Sequence, residues 1–412
     1  MKARLIARGA MLLAVVVALV ACGGAIDGGS AVLSVSIDDI ALPLSVGQAV
    51  ALAATVDVTG SASTGVVWSS ADASVAVTDV AGVLTAVDVG EAMIVATSAA
   101  DPNVSDSVVV TVVDDGSAML LRFDTTLAPG TSVTLPLRGS VDVTISWGDD
   151  SKASASEAGD YSHTFAGDGS YTVAIEGSLE QYGTGLELAY GEVFPTAEKL
   201  RVVASWGDLG LVSLAGAFFG ASSLTSVPES LPGTVTDLTR TFRGATGFNQ
   251  DICGWDVSNV TTLRDTFMFA ESFDQDIGGW NVSNVASLMQ TFFGAVAFNQ
   301  DIGDWNVSNV TSMWSTFASA QAFDRNISGW DVSRVVNMFQ MFSGAGAFDQ
   351  DLSVWDVSNV TDMQAMFRFA ESFNQDLSSW CVVEVTEEPW GFAEGATAWT
   401  LPKPQWGSCP GR

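Results

Sequence analysis

The pattern of apolar and polar positions changes character three times along the chain, and each change predicts a different kind of element. Ala10 to Val20 is an uninterrupted apolar run of 11 residues preceded by Lys2, Arg4 and Arg8. A membrane span needs roughly 20 residues, so this run and its positive flank read as a targeting segment. Beyond Gly28-Gly29-Ser30 the chain turns to short valine- and threonine-rich runs separated by turn residues: Val32 to Ile37, Ala49 to Val58, Gly65 to Trp68, Val75 to Val77, Met93 to Thr97 and Ser107 to Val113. These predict a small all-β domain over residues 32–114, built as a sandwich. A second β module over 115–185 is predicted by the alternation in Val141 to Trp147, the Gly148-Asp149-Asp150 turn, Ser162-His163-Thr164-Phe165 and the run Ser170 to Glu176.

From residue 186 onward the dominant period is 25. Trp255, Trp280, Trp305, Trp330, Trp355 and Trp380 keep it without a slip, as do Phe248 to Phe373 and a second phenylalanine column from Phe242 to Phe367. A fixed period with several apolar columns predicts a solenoid over 186–380, in which each unit buries its apolar face only by stacking on its neighbours. Within a unit, the half from Phe273 to Val285 reads as strand and turn. The half from Ala286 to Ala295, with Leu288 and Phe292 four apart, suits a short helical turn. The expected fold class is therefore β-rich and multidomain, two sandwiches followed by a leucine-rich-repeat-like solenoid. Each repeat would bury about six large apolar side chains, worth roughly 1.5 to 3 kcal/mol apiece before entropy is subtracted.

Composition sharpens this picture by exclusion. The chain carries 47 acidic and 16 basic residues, a formal net charge of -31, which argues against nucleic acid and anionic lipid as partners. One histidine, His163, and four cysteines cannot supply a His-rich metal site or several acid-base histidines, and no carboxylate spacing singles out an acid and a nucleophile, so an enzyme is not expected.

Several segments resemble known families. Leu19-Val20-Ala21-Cys22 after the apolar run resembles a bacterial lipoprotein signal with its lipobox. That resemblance implies cleavage after residue 21, lipidation of Cys22, a tether over 22–31, and residence in the cell envelope, at the outer membrane or cell surface. Loss of Lys2, Arg4 and Arg8 would bring the chain nearer -34. Val67-Trp68-Ser69-Ser70-Ala71-Asp72 with Gly82-Val83-Leu84-Thr85-Ala86 resembles the group 2 bacterial Ig-like domain, with Trp68 in the core. The Trp-Gly-Asp turn at Trp147, with Ser162-His163-Thr164-Phe165 and Gly169-Ser170-Tyr171-Thr172-Val173, resembles a PKD-type sandwich, in which His163 has a structural position. The repeated Phe-Asn-Gln-Asp-Ile-x-x-Trp-Asp-Val-Ser-Asn-Val-Thr phrase, as at Phe248, resembles the BspA-like leucine-rich-repeat surface proteins and their DUF285 repeat. It implies adhesion or protein binding. Export also permits disulfides, so Cys381 is expected to pair with Cys409 and close a C-terminal cap over 381–412.

Candidate chemistry then falls on two kinds of column. Asp251, Asp276, Asp301, Asp351 and Asp376 recur with Asn326 interrupting, and Asp149 and Asp150 sit in a turn. Calcium is the one cofactor they could hold, because hard cations take oxygen ligands; turn formation accounts for them equally well. Recognition is expected at positions that vary between repeats, because the invariant ones are committed to packing. One such column reads Arg264, Met289, Trp314, Phe339 and Gln364, and another Arg243, Met268, Phe293, Ala318, Ser343 and Arg368. The expected function is a membrane-tethered surface protein whose array binds a protein or cell-surface ligand. A glycan-binding or polysaccharide-processing accessory and a passive envelope spacer are the alternatives.

Overall fold

The computed structural model describes residues 30–410 apart from 39, 41, 43, 89, 114, 115, 150, 187–193 and 195. Cys22 and Asp150 lie outside the described residues. The molecule is β-rich, with helix confined among the described residues to two short 3-10 turns, Thr125–Leu127 and Ala197–Lys199.

The first group of strands forms three small sheets. β1 (Ala31–Ile37) pairs antiparallel with β4 (Ala54–Thr59). β2 (Leu44–Ser45), β9 (Ser105–Val113), β8 (Gly90–Ser98) and β5 (Val66–Ser70) form a second sheet in that order. β3 (Ala49–Ala51), β7 (Val83–Ala86) and β6 (Ala76–Thr78) form the third. Alternation decides which face is buried: in β8, Ala92, Ile94 and Ala96 point into the core while Glu91 and Met93 face solvent. Trp68 is partly buried and packs against the cores on both sides of it.

The second group forms one sheet in the order β12 (Lys152–Ala155), β11 (Ser132–Ser146), β14 (Ser170–Tyr182), β10 (Met119–Asp124) and β15 (Leu200–Trp206), with β13 (Gly159–Thr164) also pairing β11. The two groups are locked together. Ala118, Leu120 and Ala174 of the second complete the core of the first, and Arg122 forms an ion pair with Asp88.

β15 falls where the repeat pattern begins, and it joins the sheet to the rungs of the array. Its Val202 makes a parallel bridge to Ser226, and further parallel bridges run Ser213 to Asp237, Thr262, Ser287, Ser312, Asn337 and Asp362. After Asp237 these partners are 25 residues apart, so each 25-residue unit is one rung and its bridge residue lies beside those of the rungs before and after. The apolar columns fill the interior: the six tryptophans of the column from Trp255 to Trp380 and both phenylalanine columns are buried, in one core continuous with that of the second sheet.

The expected helical turn is not formed. Leu288 and Phe292 are both buried, but the backbone between them is a pair of linked turns. The N–H groups of Gln290, Phe292 and Gly294 reach carbonyls of the next rung, while those of Thr291, Phe293 and Ala295 bond three residues back within their own. A helix would spend every N–H inside the segment and leave nothing for the neighbouring rung. Alternation instead satisfies half locally and half between rungs, and it requires a residue in the left-handed region at every fourth position, here Gln290 (φ 54) and Gly294 (φ 68).

Candidate functional site

Side chains stitch the rungs together, which explains why most of the repeated polar residues are unavailable for recognition. The indole N–H of Trp305 donates to the Ile277 carbonyl of the preceding rung at 3.0 Å, and Trp280, Trp330, Trp355 and Trp380 repeat the bond. Asn284, Asn309 and Asn359 donate from Nδ2 to carbonyls one rung back, so the Asn-x-Ser/Thr triplets at 309 and 359 are part of this wiring. Asp274, Asn299, Asp324 and Asp349 each accept the N–H of the residue stacked on them.

The aspartate column does turn work. Asp251, Asp276, Asp301, Asp351 and Asp376 each accept, through Oδ1, the N–H two residues on, and Asn326 makes the same bond to Ser328. The N–H groups of Cys253 and Ser353 hold the Asp251 and Asp351 carboxyls below the usual carboxylate range; the Ser378 hydroxyl and N–H do so for Asp376. Among the described residues no group of three or more His, Cys, Asp or Glu converges. The column thus offers one carboxylate per rung, each with an oxygen already engaged, which is a poor match to the six to eight oxygens calcium takes. Cys253, in the same turn, is an exposed thiol whose pKa the hydrogen bond and charge of Asp251 push up, away from the reactive thiolate.

Around His163 the geometry is that of a packed turn. Asp149 Oδ2 lies 2.7 Å from His163 Nε2, Ser151 Oγ lies 3.4 Å from the same nitrogen, and the ring stacks on Trp147 at 5.0 Å. A nucleophile relay needs hydroxyl and carboxylate on opposite ring nitrogens; here both meet Nε2. Burial works to raise the Asp149 carboxyl, but hydrogen bonds from Ser151 and His163 outweigh it and hold the group low.

The variable columns share one face. Two residues after each bridge residue, past a buried leucine or methionine, Arg264, Met289, Trp314 and Phe339 are half-buried and Gln364 is exposed. The second column lies four residues further on, across the linked turns. It is not uniformly available: Arg243, Met268 and Ala318 are buried, whereas Phe293, Ser343 and Arg368 are half-buried. Trp314 meets Phe339 edge to face with ring centroids 6.0 Å apart, and its buried Nε1 has no hydrogen-bond acceptor.

Charge is distributed unevenly along this face. At its start, Asp265 is buried against Arg240 (Nε to Oδ2 3.2 Å) and Arg264 (3.8 Å), and Arg243 lies over Phe219. At its end, the Arg368 guanidinium sits between Phe369 and Trp390, 4.7 and 5.0 Å from their centroids, and donates to Glu394 at 2.9 Å. Trp390 is 61% exposed and Phe369 47% exposed.

A search at the strict 25-residue period misses Trp390 and Glu394. The N–H of Gln340 bonds the Gln364 carbonyl, but that of Ala365 bonds Trp390, so the last rung carries one inserted residue. Trp390 therefore occupies the column of Gln364, and Glu394 that of Arg368. The signal was present in Gly391 and Gly395, which have positive φ four residues apart, as do Gly216 and Gly220 near the array's start.

Residues 212–323 and 291–398 match the family described as Mycoplasma protein of unknown function, DUF285. Over this stretch, a little under half of the chain, the rungs are similar to that family's repeat. The match covers the stretch that carries both variable columns and the exposed aromatics of the last rung. No curated protein matches the chain. Among the described residues no helix is long and apolar enough to cross a membrane.

Proposed function

We propose that this chain is a lipid-anchored surface protein that binds another protein through one face of a leucine-rich-repeat-like solenoid. In this reading Cys22 carries the acyl chains, group 2 Ig-like and PKD-type sandwiches form a stalk, and the array of BspA-like DUF285 repeats is held outward. The disulfide between Cys381 and Cys409 closes its last rung. The locked packing of the two strand groups supports the stalk, since a spacer must transmit position rather than flex.

The observation that carries the binding role is the separation of columns. Invariant positions are buried or spent on wiring between rungs, while the positions free to vary gather on one face and include Met289, Phe293, Trp314, Phe339, Arg368 and Trp390. Aromatic residues, methionine and arginine are the types enriched at protein interfaces. The test is capture of binding proteins from a neighbouring-cell or host surface extract, with a glycan array in parallel, using the purified protein and its Trp314→Ala/Phe339→Ala and Trp390→Ala variants. Capture by the parent and loss of at least about tenfold in affinity in the variants, or about 1.4 kcal/mol, is the expected result. Binding confined to sugars, or capture unaffected by all three substitutions, overturns it.

A further inference from the structure

The order of residues along the binding face carries a more specific statement, which rests on the reading of that face as a protein-binding surface. With the inserted residue allowed for, the outward column runs Arg264, Met289, Trp314, Phe339, Gln364 and Trp390. Successive members sit on successive rungs, so the column has a midpoint, between Trp314 and Phe339. A two-fold axis through that midpoint exchanges Trp314 with Phe339, Met289 with Gln364 and Arg264 with Trp390.

The exchange is chemically favourable at both ends. Arg264 keeps 37% of its side chain exposed, and because the buried Asp265 beside it is held more closely by Arg240, Arg264 gives the start of the face an exposed cation. The rung of Trp390 presents an indole that is 61% exposed although Arg368 lies over it, together with the exposed Glu387 and Glu388, while Glu394 is already held by Arg368. A guanidinium brought to that rung gains a carboxylate and the aromatic surface best suited to a cation. In the middle, Trp314 of each copy meets Phe339 of the other across the axis. Such a surface is self-complementary in the sense an isologous dimer requires.

We propose that a second copy of this chain docks on this face, antiparallel, with Arg264 of each copy against the Trp390 rung of the other. Six rungs at about 5 Å each give a stripe about 30 Å long, and a width of about 15–20 Å yields about 500 Å² per partner, against about 800 Å² for a stable dimer. The contact is therefore transient and suited to copies concentrated on facing or neighbouring surfaces, where linkage multiplies weak contacts. The net charge of -31 opposes it at long range and is screened beyond about 8 Å at physiological salt.

Charge exchange tests this directly. Sedimentation velocity of the purified protein across a wide concentration range should show a monomer–dimer equilibrium. Arg264→Glu and Glu388→Arg should each weaken it at least about tenfold, because each sets like charges against each other twice. Mixing the two variants should restore it, because both contacts become opposite in sign again. Since Arg264→Glu also faces Asp265, a second arm avoids it: in a Cys253→Ser background, Met289→Cys mixed with Gln364→Cys should form an intermolecular disulfide that neither forms alone. A monomer at every concentration, unaltered association of the charge variants, or a mixture that neither re-associates nor cross-links overturns the proposal. A monomeric chain that still captures other proteins through Trp314 and Phe339 would leave the surface-binding function standing and sink this inference alone.

Discussion

At the scale of single residues, the repeated aspartates resolve a conflict that the sequence poses. Carboxylates stacked about 5 Å apart repel by on the order of 1 kcal/mol per pair in water, yet the column persists through the array. Each carboxylate accepts the N–H two residues on, and Asn326 shows that the bond survives without the charge. Because the folded-state pKa values of Asp251, Asp351 and Asp376 are depressed, their contribution is present above the unfolded value, about 3.9, and is lost as pH falls through the lower folded values. Thermal unfolding should thus be flat in pH from 7 to about 5 and fall below about 4. Asp351→Asn/Asp376→Asn should keep the neutral-pH melting temperature, or raise it slightly through lost repulsion, and make the acid limb shallower. An unchanged acid limb would show that other carboxyls set it.

At the scale of the element, the linked turns were the least legible part of the chain. Buried Leu288 and Phe292, four apart, satisfy a helical spacing and equally satisfy two consecutive turns, so apolar periodicity alone could not separate them. What separates them is backbone sign, which only glycine advertises: Gly244, Gly294 and Gly344 have positive φ, but their equivalents are Phe269, Ser319 and Phe369, which adopt it too. The columns set by burial were readable because Trp280 or Phe292 recurs wherever a rung needs filling. The side-chain wiring between rungs was not, because a hydrogen bond to a carbonyl one rung away leaves no local pattern. The alternation of glycine with phenylalanine has a steric reason. A Cβ on Gly294 would lie 2.4 Å from the Phe269 ring, so the bulky residue of one rung rests on the bare backbone of the next. Gly294→Ala should cost about 1–3 kcal/mol from overpacking and from its φ. Pairing it with Phe269→Ala should recover the overpacking part in a double-mutant cycle read by chemical denaturation. Strict additivity would mean that the ring moves aside freely and that the clash is not what keeps this position glycine.

At the scale of the whole molecule, stability should vary along the array because each rung exchanges its backbone and side-chain bonds with immediate neighbours only. One end is protected by continuity: β15 pairs with β10, and the rungs begin at the bridge from Val202 to Ser226. The other end relies on residues after Trp380. Trp399 and Trp406 pack against Phe373 and Phe392, Leu377 donates to the Pro402 carbonyl and Val382 to that of Ser408, and Cys381 is bonded to Cys409 across a separation of 28 residues. A loop of that size contributes roughly 3 kcal/mol in the chain-entropy account. Cys381→Ser/Cys409→Ser should therefore lose that stability locally. Amide exchange should quicken first in residues 374–410 and then in the preceding rungs, while β10 and β14 keep their protection. Uniform loss of protection from the second sheet to the C-terminus would instead mean that the sheet and the rungs unfold as one cooperative unit, and the disulfide would then serve the whole molecule rather than its last rung.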